Sequence, residues 1–340
     1  MTGSITSDNL RPQGLPWQQS VVDRGSERRA APGFAAEALA QSNARLIVIH
    51  QGQTLIRDGH VVFFDARAWA DPVPLQDEAG SAGPTVYLGR YQGPFSEESS
   101  HADAGQPGVA LQPGDELFAV HSTDDAATAL GAQATWRTFR EVATELPAAE
   151  SQLFIEALAI LNWHRAHTHC PRCGAPTRVE VSGWVRRCPQ DNSEHFPRTD
   201  PAIIVAVVGA DDRLLLGGGA SWESNRYSTL AGFVEPGESL EQAVVREIGE
   251  EVGIRIHTVD YLGSQSWPFP ASLMLGFTAR TDDVDATPDG VEVTRARWFT
   301  RPELQAAVSS GEVVISHRMS IARSLIEHWY GGVIHDAPEA

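Results

Sequence analysis

The chain has 340 residues and no lysine: all 26 of its basic residues are arginine. That absence excludes Schiff-base chemistry, a P-loop lysine and any other mechanism built on a side-chain amine. Cysteine is scarce as well. There are three, two of them in one Cys-x-x-Cys, which argues against a disulfide scaffold. Positive charge is in deficit: 44 carboxylates leave a formal net charge of −18. Non-specific nucleic-acid binding rests on neutralising phosphates with a basic surface, so that role is disfavoured. An RNA substrate would be gripped by its end rather than along its body. Long apolar runs are missing too. The longest, Ala202 to Val208, is far short of the roughly 20 residues needed to span a bilayer. The N-terminus has no basic region followed by an apolar core, so no secretion signal is expected. These absences point to a cytoplasmic chain with no membrane contact.

What is present supports real cores: 42% of residues are hydrophobic, over a length sufficient for two or three domains. Residues 1–40 are rich in Gly, Ser, Pro, Arg and Ala without periodicity, which predicts a mobile leader. Short β-type runs follow at Ala44–His50, Thr54–Arg57, Val61–Asp65, Thr85–Leu88 and Glu116–Val120, with turns at Asp58-Gly59 and Pro113-Gly114. They predict a small β-rich domain over 41–145, with a loop near 96–114. A connecting segment, 146–169, carries a helix from Ala148 to Ala166, with Leu153, Ala157 and Ile160 at helical spacing. From 199 to 332 strands and helices alternate. Strands are expected at Ala202–Val208, Arg213–Gly217, Tyr261–Gln265, Leu273–Arg280 and Ala296–Phe299. Helices are expected at Leu240–Val252, Pro302–Ser309 and Ser316–Trp329. A tail, 333–340, closes the chain.

Between the two larger regions, in 170–198, Cys170-Pro-Arg-Cys173-Gly is followed by Cys188-Pro-Gln-Asp191, with fourteen residues between Cys173 and Cys188. That is zinc-ribbon spacing with aspartate in the fourth position. Aspartate ligates Zn²⁺ through oxygen at a distance similar to nitrogen ligands, so three sulfurs and one oxygen make a feasible site. His195, His169 or water are alternatives for the fourth ligand, and a metal-free ribbon is the bland reading. Such a zinc would be structural. A redox Cys-x-x-Cys lacks the surrounding βαβ context.

The most informative stretch runs from Gly232 to Ile254: Gly232-x5-Glu238-x7-Arg246-Glu247-Ile248-x-Glu250-Glu251-x-Gly253-Ile254. Carboxylates at 247, 250 and 251 fall at i, i+3 and i+4 and share one helix face. Like charges so stacked repel, and a divalent cation removes that repulsion. Hard oxygen ligands suit Mg²⁺. Ser239 with Gln242 has the form of a capping box, and Gly253 is placed to end the helix in the left-handed conformation. Val244, Val245, Ile248 and Val252 form the stripe expected to pack on a sheet. A charge run alone usually marks a solvated helix face; the full pattern over 23 residues does not fit that reading.

The pattern resembles the Nudix box of Nudix hydrolases, which cleave a nucleoside diphosphate linked to another group. Ser264-Gln265-Ser266-Trp267-Pro268-Phe269-Pro270 resembles the SQPWPFP tag of NADH pyrophosphatases of the NudC type, with Ser266 in place of its first proline. The preceding β-domain, the ribbon and Trp163-His164-x-x-His167 agree with that subfamily. The resemblance implies an α+β chain: a Nudix α/β/α sandwich preceded by a small β-rich domain and a zinc ribbon. It implies metal ligation (Mg²⁺ or Mn²⁺) by Glu247, Glu250, Glu251, Glu292 and the Ala231 carbonyl, with Arg246 orienting the glutamates. It further implies a dinucleotide pocket involving Phe196, Phe233, Gln265, Trp267, Phe269, Ser272, Ala322 and Arg140. Trp267 and Phe269 are flat, proline-braced platforms on which a base can stack. Where the family carries a substrate-contacting glutamate before the ribbon tryptophan, this chain has Gly183 before Trp184.

The activity implied is hydrolysis of NADH or NAD⁺ to AMP and nicotinamide mononucleotide, with removal of an NAD cap from RNA 5′ ends by the same bond cleavage, in a homodimer. Hydrolysis of ADP-ribose or another nucleoside diphosphate derivative is the same-class alternative. An inactive Nudix fold serving as a nucleotide sensor is the other, and its mark, lost box glutamates, is absent.

Overall fold

The structure, a computed structural model, describes residues 20–69, 83–93 and 109–338. In its described part the chain divides into two compact units, 20–198 with 268–271, and 199–267 with 272–338.

The first unit contains β1 (Val22–Asp23), α1 (Ser26–Arg29), α2 (Phe34–Leu39), β2 (Ala44–His50), β3 (Gln53–Arg57), β4 (His60–Val61), β5 (Phe63–Asp65), β6 (Val86–Tyr91), β7 (Glu116–His121), α3 (Asp124–Gly131), β8 (Thr135–Thr138), α4 (Phe139–Val142), α5 (Ala148–Ala166), β9 (Arg178–Glu180), β10 (Val185–Arg187) and β11 (Glu194–His195). Among the described residues the order β1-β6-β7-β2-β3-β4 forms one sheet, with β5 also on β2 and β8 also on β3. Asp58 and Gly59 both have positive φ, 50° and 78°, which is the turn geometry that matches strand twist in a tight hairpin. Helix α5 has the bounds its periodicity predicts, and Leu153, Ala157 and Ile160 are buried. β9–β11 form a separate three-stranded sheet.

The expected mobile leader needs correction over 20–40. There β1 pairs with β6, and Arg28 bonds Asp23 at 2.9 Å. Ser182 Oγ donates to the Arg29 carbonyl at 2.8 Å, and the Arg29 guanidinium lies 4.1 Å from the Trp184 ring centre. Long-range partners order a segment whose composition carries no local signal. The rest of the leader, 1–19, and most of the expected loop near 96–114 lie outside the described residues.

The second unit contains β12 (Asp200–Gly209), β13 (Leu214–Gly219), β14 (Leu230–Phe233), α6 (Leu240–Val252), β15 (Thr258–Trp267), β16 (Ser272–Thr281), β17 (Val293–Phe299), α7 (Arg301–Ser309) and α8 (Ile321–Tyr330). Its sheet runs β15-β16-β12-β13-β17, with β14 also on β12; β12 and β16 are parallel. Alternation along β12 sends successive side chains to opposite faces. Ile203, Val205 and Val207 pack with Ala243, Val244, Ile248 and Val252 of α6. Ile204, Ala206 and Val208 pack with Leu304, Val308, Leu325 and Ile326 of α7 and α8. Helices cover both faces, giving the expected α/β/α sandwich.

Three differences from the sequence reading are local. β14 was not expected, because a four-residue strand containing Ala231-Gly232 has no alternation of its own. Val245 is 46% exposed and leaves the apolar stripe to Ala243, Val244, Ile248 and Val252. α8 begins at Ile321 rather than Ser316, with Ser320 as its N-cap. Gln265 fixes that start: its amide donates to the Met319 carbonyl at 2.9 Å and accepts from the Ile321 N–H at 2.8 Å.

Candidate active site

Helix α6 carries the acidic residues because both of its ends are specified locally. Ser239 accepts from the Gln242 N–H at 3.2 Å, while Gln242 accepts from the Ser239 N–H at 2.7 Å. Gly253, with φ 69°, ends the helix in the left-handed region. One turn before that end, Glu247 leans onto β14. A Cβ on Gly232 would lie 2.0 Å from the Glu247 carboxyl carbon, so the glycine gives the carboxylate its room.

Arg246 is the hub of the helix surface. It donates to Glu238 through Nε (3.1 Å) and Nη2 (2.6 Å), to the Phe233 carbonyl at 2.9 Å and to Glu250 at 3.1 Å. Its contact with Glu247 is 2.9 Å. The hydrogen bonds to Glu238, then those to Glu247 and Glu250, outweigh desolvation and hold its pKa above the ordinary arginine value. A permanently charged planar fork suits a post that fixes several carboxylates at once.

Glu251 departs from the expected open acidic edge: it is only 6% exposed, and its Oε2 is buried without a hydrogen-bond partner. Burial, then the charges of Glu247, Glu292, Asp289 and Glu250, push its carboxyl up to about 8. Burial also raises Glu247. A buried carboxylate oxygen with no donor, among four other carboxylates, is an arrangement that a cation completes. Hard oxygen donors of this kind fit a divalent metal. Ala231, whose carbonyl is the further candidate ligand, lies on β14 opposite Ile204.

Glu292 reaches this cluster through a residue that the sequence reading missed. The Asp289 carboxylate accepts the N–H groups of Val291 (3.2 Å), Glu292 (3.1 Å) and Val293 (2.9 Å). The Asp289 N–H donates to the Glu251 carbonyl at 2.9 Å, which ties the loop to the end of α6. The Asp289-Gly290 turn dipeptide is the sequence signal that could have found it.

The substrate candidates fall into both units. In the second, Phe233 is 56% exposed, whereas Gln265, Ser272 and Ala322 are buried. Both amide ends of Gln265 are engaged with backbone at the start of α8, so its side chain is placed for positioning rather than contact. Trp267 is half-buried, opposite Ser272 on the β15–β16 ladder. In the first unit, Phe196 is 62% exposed. The Arg140 guanidinium lies 4.6 Å from the centre of the Phe269 ring, which brings two candidates from distant stretches of sequence together.

Also in the first unit, one ligand atom each from Cys170, Cys173, Cys188 and Asp191 lie within 4.8 Å of one another. Left-handed Gly174 (φ 74°) and Asn192 (φ 57°) turn the two knuckles. Gly174 and Asn192 donate N–H to the carbonyls of Cys170 and Cys188, at 2.9 and 3.1 Å. Ser193 donates its hydroxyl and its N–H to Asp191, at 2.5 and 2.9 Å, and these bonds hold the carboxyl below the usual range. Desolvation opposes ionisation of Cys170, but the hydrogen bond from the Arg172 N–H and then the contact with Ser193 lead a set that brings it down to about 6. A pre-ionised carboxylate and the acidic Cys170 thiol suit a structural zinc, while burial pushes the Cys188 thiol up to about 11. His195 holds Ser193 (3.2 Å) and His169 pairs with Thr168 (2.8 Å), so Asp191 is the fourth donor of the group.

Gly183 has a structural reason to be glycine. Its φ is 99°, and a Cβ there would fall 2.7 Å from Val86 Cγ1. Its carbonyl is in 2.7 Å contact with His164 Nε2.

The sandwich, its acidic helix and the ribbon define a Nudix hydrolase. Residues 198–317 match the NUDIX domain family, 165–196 the NADH pyrophosphatase zinc ribbon domain, and 43–163 the NADH pyrophosphatase-like rudimentary NUDIX domain. The chain is 36% identical over 309 residues to the NAD-capped RNA hydrolase NudC of Mycobacterium tuberculosis (strain H37Rv), with 88% of each chain covered. It is 36% identical to the enzyme of the same name from Stutzerimonas stutzeri, over 74% of this chain and 84% of that one. To the NAD-capped RNA hydrolase NUDT12 of Macaca fascicularis it is 36% identical, over 54% of this chain and 43% of that one. The chain belongs to the NudC-type NADH pyrophosphatase family of Nudix hydrolases. Among the described residues no helix is long and apolar enough to cross a membrane.

Proposed function

We propose that this protein hydrolyses the pyrophosphate of NADH and NAD⁺ to AMP and nicotinamide mononucleotide, and removes NAD caps from RNA 5′ ends by cleaving the same bond. The observation that carries the reading is the buried, partnerless Glu251 oxygen among Glu247, Glu250, Asp289 and Glu292, in a chain of this family. Glu247, Glu250, Glu251, Glu292 and the Ala231 carbonyl would hold Mg²⁺ or Mn²⁺, which supplies charge neutralisation at the pyrophosphate and acidifies water.

The chain's own groups do the rest. Arg246 fixes Glu238, Glu247 and Glu250 in one array, so little reorganisation is needed when substrate arrives. Glu250 or Glu251 takes the proton of the attacking water. Within the second unit Trp267 and the exposed ring of Phe233 offer faces for a flat base; within the first, Phe269 lies against Arg140 and Phe196 is exposed. The ribbon would hold zinc structurally, with no part in proton transfer. Homodimerisation and a cytoplasmic location belong to the same reading, on family resemblance.

Purified protein with Mg²⁺ or Mn²⁺ is offered NADH, NAD⁺, ADP-ribose and NAD-capped RNA in parallel. Turnover of NADH and NAD-capped RNA well above ADP-ribose is the expected result. A preference for ADP-ribose would replace the assignment with the same-class alternative, and no turnover of any of the four would leave a nucleotide sensor.

A further inference from the structure

A corner of the second unit combines charge and aromatic surface in a way the dinucleotide chemistry does not use. In a chain of net charge −18 most of the described arginines pair with a carboxylate, as Arg213 does with Asp211 and Arg297 with Glu312. Arg226 and Arg295 are, with Arg29, Arg165 and Arg178, among the described arginines that have no carboxylate within ion-pairing distance, and of these they share one corner with an exposed tryptophan. The exposed Arg226 guanidinium sits over the Trp222 ring, 5.3 Å from its centre. Stacking uses the faces of a guanidinium and leaves its in-plane N–H donors free. The Arg295 guanidinium and the Arg226 carbonyl both flank Gly218; Arg295 lies 5.8 Å from the centre of the Tyr227 ring, donates to the Glu223 carbonyl at 3.1 Å, and has a buried Nε with no partner. Glu223 contributes carbonyl oxygen here, not its carboxylate.

The corner adjoins the acidic cluster. Trp222 packs over Gly219, where a Cβ would meet its ring at 3.3 Å. Gly219 is paired with Val293, the residue after Glu292, and the Ala220 N–H donates to the Glu292 carbonyl at 3.2 Å. Trp222 is 40% exposed. Free guanidinium donors recognise phosphate, and an exposed indole recognises a base. A single strand of RNA presents both, one nucleotide apart.

Resting on the proposed cap-removal activity, we infer that Trp222, Arg226 and Arg295 form a subsite for the RNA that follows the cap. Arg226, with Arg295, takes a phosphodiester, and Trp222 takes the flanking base. The subsite engages the first nucleotides only, which reconciles an RNA substrate with a strongly acidic protein: two neighbouring arginines without carboxylate partners give a local grip without a basic surface.

The test uses the full chain and its Trp222→Ala and Arg226→Gln variants on NADH and on an NAD-capped oligoribonucleotide. Catalytic efficiency on the capped RNA should fall about 5- to 100-fold in each variant, the range expected for one lost base stack or phosphate contact, while NADH hydrolysis stays within about twofold. Equal losses on both substrates, or no loss on either, overturn the subsite. Affinity for a 5′-phosphorylated tetranucleotide gives a readout free of turnover. It should weaken in both variants, and Arg226→Gln should lower the slope of log affinity against log salt by about 0.7, one phosphate contact to a single strand. Wild-type protein that cleaves NADH but not capped RNA would sink the cap-removal reading. Tetranucleotide affinity would then decide the subsite alone, with unchanged values overturning it.

Discussion

Gly232→Ala isolates the position of one carboxylate from the stability of the fold. The added Cβ would sit 2.0 Å from the Glu247 carboxyl carbon and 2.1 and 2.3 Å from its oxygens, whereas ordinary contact begins at 3.4 Å. The Glu247 carboxylate must therefore retreat by about 1.4 Å, the difference between 3.4 and 2.0 Å, because Gly232 is fixed on β14 by its register with Ile203. That retreat also disturbs its 2.9 Å contact with Arg246. A misplacement near 1 Å in a reacting assembly costs about 10²-fold in rate. Folding should not suffer: Gly232 does not occupy the left-handed region, and Gly→Ala at a compatible site stabilises by about 0.4–1 kcal/mol through the unfolded chain. The expected variant is thus at least as heat-stable as the parent, about 100-fold slower on NADH at saturating Mg²⁺, and weaker in Mg²⁺ activation. Turnover above a tenth of the parent value with an unchanged metal optimum would refute the reasoning, because Glu247 would then have no need of its cradle.

Glu251→Gln should abolish at least 99% of NADH turnover, since loss of a catalytic group costs at least about 10²-fold, while the metal-free protein melts no lower than the parent; retention of a tenth of the activity would remove Glu251 from the chemistry. Elemental analysis of protein purified without chelator should find about one zinc per chain, and Cys170→Ser should lower the melting temperature more than it changes KM or kcat, because binding at a structural site contributes about 10 kcal/mol or more to folding; below about 0.2 zinc per chain, Asp191 marks a ribbon without metal. Glu156 supplies a pH test on a residue that is a ligand of neither metal: burial pushes its carboxyl up to about 7, against the pull of Arg24 and Arg29. Its folded pKa lies above the unfolded value near 4.5, so the penalty for its charge is absent below pH 4.5, grows to pH 7 and is complete above it. Glu156→Gln should accordingly resist urea better than the parent at pH 8 and lose that advantage at pH 4.5; an advantage equal at both would show that packing, not charge, sets the effect.

The local rules written in the sequence were enough for the elements that carry the chemistry. Helix α6 has the bounds its capping box and terminal glycine dictate, and α5 follows its periodicity, because caps and apolar spacing act within a few residues of chain. The ribbon was legible for the same reason: Cys170, Cys173, Cys188 and Asp191 gather through two short knuckles whose turns are local. Partners far away in sequence decided the rest. The segment 20–40 is ordered by Tyr91, Ser182 and Trp184, and α8 starts where Gln265 pins Ile321. Val245 faces outward because the face of α6 that meets the sheet is made by Ala243, Val244, Ile248 and Val252. Above all, the helical spacing of Glu247, Glu250 and Glu251 told which carboxylates share a face, but not which of them is buried. Glu251 loses water, and Glu292 arrives beside it on the Asp289 loop, only when β14, β17 and α6 are packed together. Spacing is a property of the chain, while desolvation is a property of what the fold sets against it.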